Sequence, residues 1–143
     1  MILIDVNLLI YATHEFMLEH KLAKAWLEEV LNSQNRVAIP WSNLLAFIRI
    51  SSNPRIFDSP LSTKEAVEQV KTWYSLENVW VPQPGKNYFE ILTELLLQSN
   101  ASGNLVSDAH LAALSIEHGL TLYSTDSDFA KFKVLKWVNP LDN

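Results

Sequence analysis

With 143 residues, 48% hydrophobic and 19% charged, the chain is long enough to bury a core and too apolar to stay disordered. Its net charge of -5 and scattered lysines and arginines exclude the broad basic stripe of a protein that holds nucleic acid by bulk charge. No apolar run approaches a bilayer span, which argues against a membrane protein, and the absence of cysteine excludes disulfides and thiolate metal sites, so the expected compartment is the cytoplasm.

In chain order, Ile2-Leu3-Ile4 reads as a strand buried on both faces. The acid that follows at once, and the lack of a basic start, argue against a secretory signal. Asp5 to Ala12 turns into a short helix. From about Glu19 to Asn32, Leu22, Ala25, Trp26, Val30 and Leu31 recur at helical spacing. Val37-Ala38-Ile39 is a second strand, and Pro40 suits the first turn of a helix that runs to about Ser51. The segment 53–60 is a loop with two prolines. Ser62 and Glu65 form a capping box for a helix ending near Tyr74. Val79-Trp80-Val81 is a third strand. Helices follow over about 86–98 and 104–118, the second closed by Gly119. Leu120 to Tyr123 is a fourth strand, Asp126 to Lys131 a helical turn, and Lys136-Trp137-Val138 a last strand. The five tryptophans fall mostly on apolar faces and belong to the core or an interface.

Strands that alternate with helices throughout predict an α/β fold: three layers, α/β/α, around a small, mostly parallel central sheet, with residues 1–143 as a single domain. In such sheets ligands bind beyond the carboxyl ends of the strands. Asp5 follows strand one directly, and Asp126 and Asp128 follow strand four, so these acids share one sheet edge. Gathered carboxylates repel one another, and a hard divalent cation, Mg2+ or Mn2+, relieves that repulsion. Asp5 or Asp126 taken alone serves equally well as a helix N-cap. Asp108 stands about 60° from the centre of the stripe Leu105, Ala109, Ala112 and Ile116, with no lysine or arginine on its helix to pair with it. It either reaches water or shares a metal with Asp5. His110 and Glu117 lie on the opposite side, where His110 reads as a surface residue. His14, His20 and His118 have no ligand spacing among themselves, and no phosphate-cradling glycine motif is present.

Asp5-Val6-Asn7 after the first strand, Asn104-Leu105-Val106-Ser107-Asp108-Ala109-His110-Leu111-Ala112 on a late helix, and Ser124-Thr125-Asp126-Ser127-Asp128-Phe129 after the next strand resemble the PIN-domain family. With 47–55 and 137–141 added, they resemble more narrowly its VapC-type toxin ribonucleases, and the resemblance spans nearly the whole chain. It implies a PIN-like fold and Mg2+- or Mn2+-dependent cleavage of RNA. It also implies a homodimer and a cognate antitoxin that inserts a segment near the active site. Asp5, Asp108 and Asp126 carry over as metal ligands, Asp128 as a supporting catalytic acid, and Asn7, Ser124 and Thr125 as groups that orient the ligands. The acid this family usually carries on the helix after strand two falls at Ala46, and no acid occurs from Val37 to Arg55. Ser42 and Asn43, a turn earlier, offer oxygen atoms there. Arg49 is either a phosphate contact or an ordinary solvated arginine.

The missing acid keeps open a second reading, a weakened PIN-like domain that only binds a partner. A phosphatase with Asp-x-Asp after strand one fits poorly because Asn7 holds the third position. A phosphotransfer receiver fits poorly because Pro82 and Gln83, rather than an acid, follow strand three.

Overall fold

The computed structural model describes residues 1–142. Its sheet has five strands: β1 (Ile2–Ile4), β2 (Val37–Ala38), β3 (Val79–Trp80), β4 (Thr121–Tyr123) and β5 (Trp137–Val138). All described pairings are parallel, in the order β3-β2-β1-β4-β5. The helices are α1 (Val6–Thr13), α2 (His20–Leu31), α3 (Trp41–Ser51), α4 (Thr63–Tyr74), α5 (Tyr88–Ser99) and α6 (Asn104–His118), and a 3-10 helix covers Ser127–Lys131.

The two-residue period of the strands divides the core. Ile2, Ile4, Val37 and Ile39 face α1 to α4, together with Leu8, Leu9, Phe47 and Trp73. Leu3, Ala38 and Leu122 face the other way, against α5, α6 and Phe129. The sheet therefore lies between two helical layers, as the alternation of elements predicts. The chain runs from β1 outward through β2 to β3, then crosses back over the opposite face to β4 on the far side of β1. This reversal makes the β1/β4 junction the switch point at which such sheets open a crevice.

Local chemistry sets several element ends. Ser62 accepts from the Glu65 N–H at 3.0 Å while the Glu65 carboxylate accepts from the Ser62 N–H at 2.9 Å, the expected capping box. Gly119 ends α6 at φ 67°, a left-handed conformation that favours glycine. Pro40 stands one position earlier than its sequence context predicts. It is extended, at ψ 153°, and precedes α3 rather than opening its first turn. Trp41 departs from the expected burial and is 44% exposed, its ring tilted against Tyr74.

Candidate metal centre

Asp5 is the residue at which β1 becomes α1. Its backbone N–H donates to the Tyr123 carbonyl at 3.0 Å, which continues the β1–β4 ladder by one residue. Asn43 donates its amide to the Ile4 carbonyl at 2.8 Å, so α3 holds the end of β1 from the other side. The carboxylate is buried, with Oδ1 accepting from the Val6 N–H at 2.8 Å and Oδ2 from the Ser124 hydroxyl at 2.7 Å. Asp5 therefore caps α1, as one of its two sequence readings has it, while its other oxygen is bonded to Ser124.

Ser124 is a three-way junction. Its Oγ also accepts from Asn7 Nδ2 at 3.1 Å and from the Asp126 N–H at 3.0 Å. Asp126 in turn accepts from the Asp128 N–H at 2.9 Å and caps the 3-10 helix. Thr125, expected to join Ser124 in orienting the acids, lies close enough to the Tyr11 hydroxyl to act on it.

Carboxylate oxygens of Asp108, Asp126 and Asp128 lie within 4.8 Å of one another. This trio differs from the expected set of Asp5, Asp108 and Asp126. Asp5 stands behind it, both oxygens engaged by the protein, yet close enough for its charge to act on Asp108. Burial raises the Asp5 pKa, against the hydrogen bonds from Ser124 and Val6, and the Asp126 charge raises it further. Asp108 is pushed up to about 6, by partial burial first and then by Asp126, Asp5 and Asp128. Lys131 pulls weakly the other way and pairs with Asp128 at 3.4 Å.

The donor set fits a hard divalent cation. It consists of oxygens alone, and its mutual repulsion is what a cation would neutralise. Beside it, Asn7 Oδ1 is buried and bonded to no protein donor, a further acceptor at the junction.

A cavity of about 540 Å³ opens beside Asp5 and Asp108, and Ser42, Asn43, Ala46 and Arg49 line it with them. Ala46 thus faces the site, as the alignment of its helix predicts, and α3 presents no acid to it. Arg49 is exposed and forms no ion pair among the described residues.

His110 corrects the sequence reading. It is half-buried, lines the same cavity and binds the Tyr88 hydroxyl through Nδ1. Burial lowers its pKa and raises that of Tyr88. The side of α6 read as solvent-facing is covered by α5, and Glu117 there accepts from the Gly85 and Asn87 N–H groups at 2.7 and 3.0 Å. Tyr88 carries no local signal in the sequence, because its partner is a long-range neighbour. His14, His20 and His118 bind Ser51 Oγ, the Tyr11 carbonyl and the Gln83 carbonyl, in keeping with their lack of ligand spacing.

Comparison with known proteins agrees with this architecture. The PIN domain family model matches residues 2–135. Ribonuclease VapC37 of Mycobacterium tuberculosis is 36% identical over 138 residues, covering 96% of each chain. A chain of VapBC2 from Rickettsia felis, solved bound to a DNA fragment from its promoter, superposes with a TM-score of 0.69 at 20% identity over 97% of this chain and 98% of that one. A chain of a toxin–antitoxin complex from Klebsiella pneumoniae gives a TM-score of 0.65 at 19% identity, covering 98% of each. At those identities the two solved structures speak to fold alone. The family match over nearly the whole chain, the full-length similarity to a VapC ribonuclease and the acids at the switch point lead to one assignment: the chain belongs to the PIN-domain family, with VapC ribonucleases among its relatives.

Proposed function

We propose that this chain is an Mg2+- or Mn2+-dependent endoribonuclease and the toxin half of a toxin–antitoxin pair. The observation that carries the reading is Asp108, pushed up to about 6 by burial and by three further acids at the same sheet edge. Perturbation of that kind marks a site built for charge that the protein itself does not supply. Asp108 and Asp126 would hold the ion, with the Asp5 carboxylate, bonded to Ser124 and Val6, beside them as the third acid of the set. When bound, the ion would supply the positive charge that polarises a phosphate and acidifies a water. Asp128, exposed at the edge of the cluster, would serve as the proton acceptor. Ser124 and Asn7 keep Asp5 oriented, and Arg49 meets a neighbouring phosphate.

The reading also accounts for the net charge of -5. Four of the sixteen acids belong to the site, so the rest of the chain carries a net charge of only -1, and the cation rather than a basic stripe would meet the phosphates. We treat residues 1–143 as a single domain, since one sheet serves both core clusters. A homodimer and an antitoxin would cover exposed apolar residues such as Phe16, Leu18, Phe89 and Leu97. A cytoplasmic location suits the cysteine-free chain.

The test is cleavage of single-stranded RNA in a chelator and after Mg2+ or Mn2+ is returned. Cleavage should stop and then resume, spare duplex DNA, and be lost in Asp5→Asn and Asp108→Asn. Full activity in chelator would remove the metal mechanism. Strong cutting of duplex DNA would keep the metal and change the substrate.

A further inference from the structure

The cavity beside Asp5 and Asp108 has a chemically mixed lining. Ile50, Leu92, Val106 and Leu111 give it apolar surface, and Tyr88 and His110 stand in it with four other polar residues. Its volume of about 540 Å³ falls in the range of pockets that enclose a small flat ligand. A channel that met only phosphates would have no use for an apolar wall. An unpaired nucleobase needs one, together with a few polar atoms to read its edge.

We propose that the Tyr88–His110 pair lines a nucleobase subsite in this cavity, which receives the base next to the phosphate placed over the acids and selects among bases. The inference rests on the ribonuclease reading and adds the group that sets its preference. Tyr88 binds His110 through Nδ1, so Nε2 is the ring nitrogen left to meet a ligand, and the tyrosine oxygen retains a lone pair. The rings meet edge to face with centroids 5.6 Å apart, which fixes the orientation of the imidazole. The pair is not all that docks α5 on α6. Leu95, Ile91, Leu92 and Leu96 pack into the α6 cluster, and Glu117 holds the loop before α5 through the Gly85 and Asn87 N–H groups, where a Cβ on Gly85 would lie 2.7 Å from its carboxylate. That clamp sets where α5 begins and hence where the Tyr88 hydroxyl stands. Arg49, exposed on the same cavity, supplies the cation for the backbone that joins the base to its neighbour. A base stacked inside a duplex cannot enter, so the subsite also favours single strands.

The experiment uses short single-stranded oligoribonucleotides that differ only in the bases flanking the cut, with Mn2+ present. KM and kcat are measured for the wild type, Tyr88→Phe and His110→Gln. The wild type should prefer one base at one flanking position by about tenfold, the scale of one well-made base contact. Both variants should cut all four bases nearly alike, with the loss falling on KM for the preferred base, while melting temperature and Mn2+ affinity stay at wild-type values. If Tyr88→Phe does not fold, His110→Gln carries the test. Equal losses for every base would make the pair a structural strut, and an intact preference in the folded variants would give the cavity to another occupant, such as a protein segment. Either result overturns the subsite alone. A wild type that cuts no RNA with Mn2+ overturns the ribonuclease reading and the subsite with it.

Discussion

Asp108 concentrates the electrostatic cost of this fold in one carboxyl group. Its folded pKa of about 6 exceeds the ordinary value of 3.8, so the folded chain holds that proton more tightly than the unfolded chain does. Its contribution to stability is fully present below the ordinary value and is lost as pH rises through about 6. Asparagine mimics the protonated acid, so Asp108→Asn should melt with the wild type near pH 4 in chelator and above it at pH 7 and higher. The group is partly solvated, which reduces the gain to about 1 kcal/mol, or about 3 °C. Thermal scans across pH check this, and a difference independent of pH would detach Asp108 from the acid cluster. Ser124 offers a second test at this scale. Ser124→Ala strips a donor from buried Asp5 and an acceptor from both Asn7 and the Asp126 backbone. The expected cost is about 2 kcal/mol of stability and about tenfold in Mn2+ affinity, read by denaturant melts and calorimetric titration.

At the scale of elements, α3 and α6 bring opposite walls to the site. Ala46 lines the cavity from α3, so Ala46→Glu should lower metal-free stability by adding charge near Asp5 and Asp108, which line the same cavity, and should tighten Mn2+ binding. The stabilisation produced by the metal should then grow, and unchanged affinity in the titration would show that the side chain cannot reach. Gly119 fixes where α6 stops and how the chain turns into β4. Gly119→Ala should cost about 1 kcal/mol through its positive φ alone, since an added Cβ meets nothing within 4 Å. Elements of this kind were readable in the chain because their signals are local: the Ser62–Glu65 box, the glycine after α6 and the apolar triplet before Asp5. The covered side of α6 was not. His110 and Glu117 look solvent-facing until α5 folds over them, and that packing joins residues far apart in sequence. The order of the acids was half-readable. Their shared edge follows from the strands, but which three approach most closely depends on the turn after β4, where Asp126 caps and Asp128 follows.

At the scale of the molecule, β1 is the middle of the sheet although it is the first strand in the chain. Ile2 pairs with Val37 on one side and with Thr121 on the other. A chain growing from its N-terminus therefore makes the central strand and Asp5 well before β4 can close beside them. Until then Asp5 has neither Ser124 nor Asp126, and the switch-point crevice has one wall. On the ribonuclease reading, the chain is silent while it is being made and becomes competent in one late step. Ribosome-arrested chains ending before Thr121 should accordingly be protease-sensitive and inert toward RNA, with protection and cleavage appearing together once the strand at 137–138 has emerged. On that same reading, the order in which the strands are threaded would act as a safety catch on the protein's own synthesis.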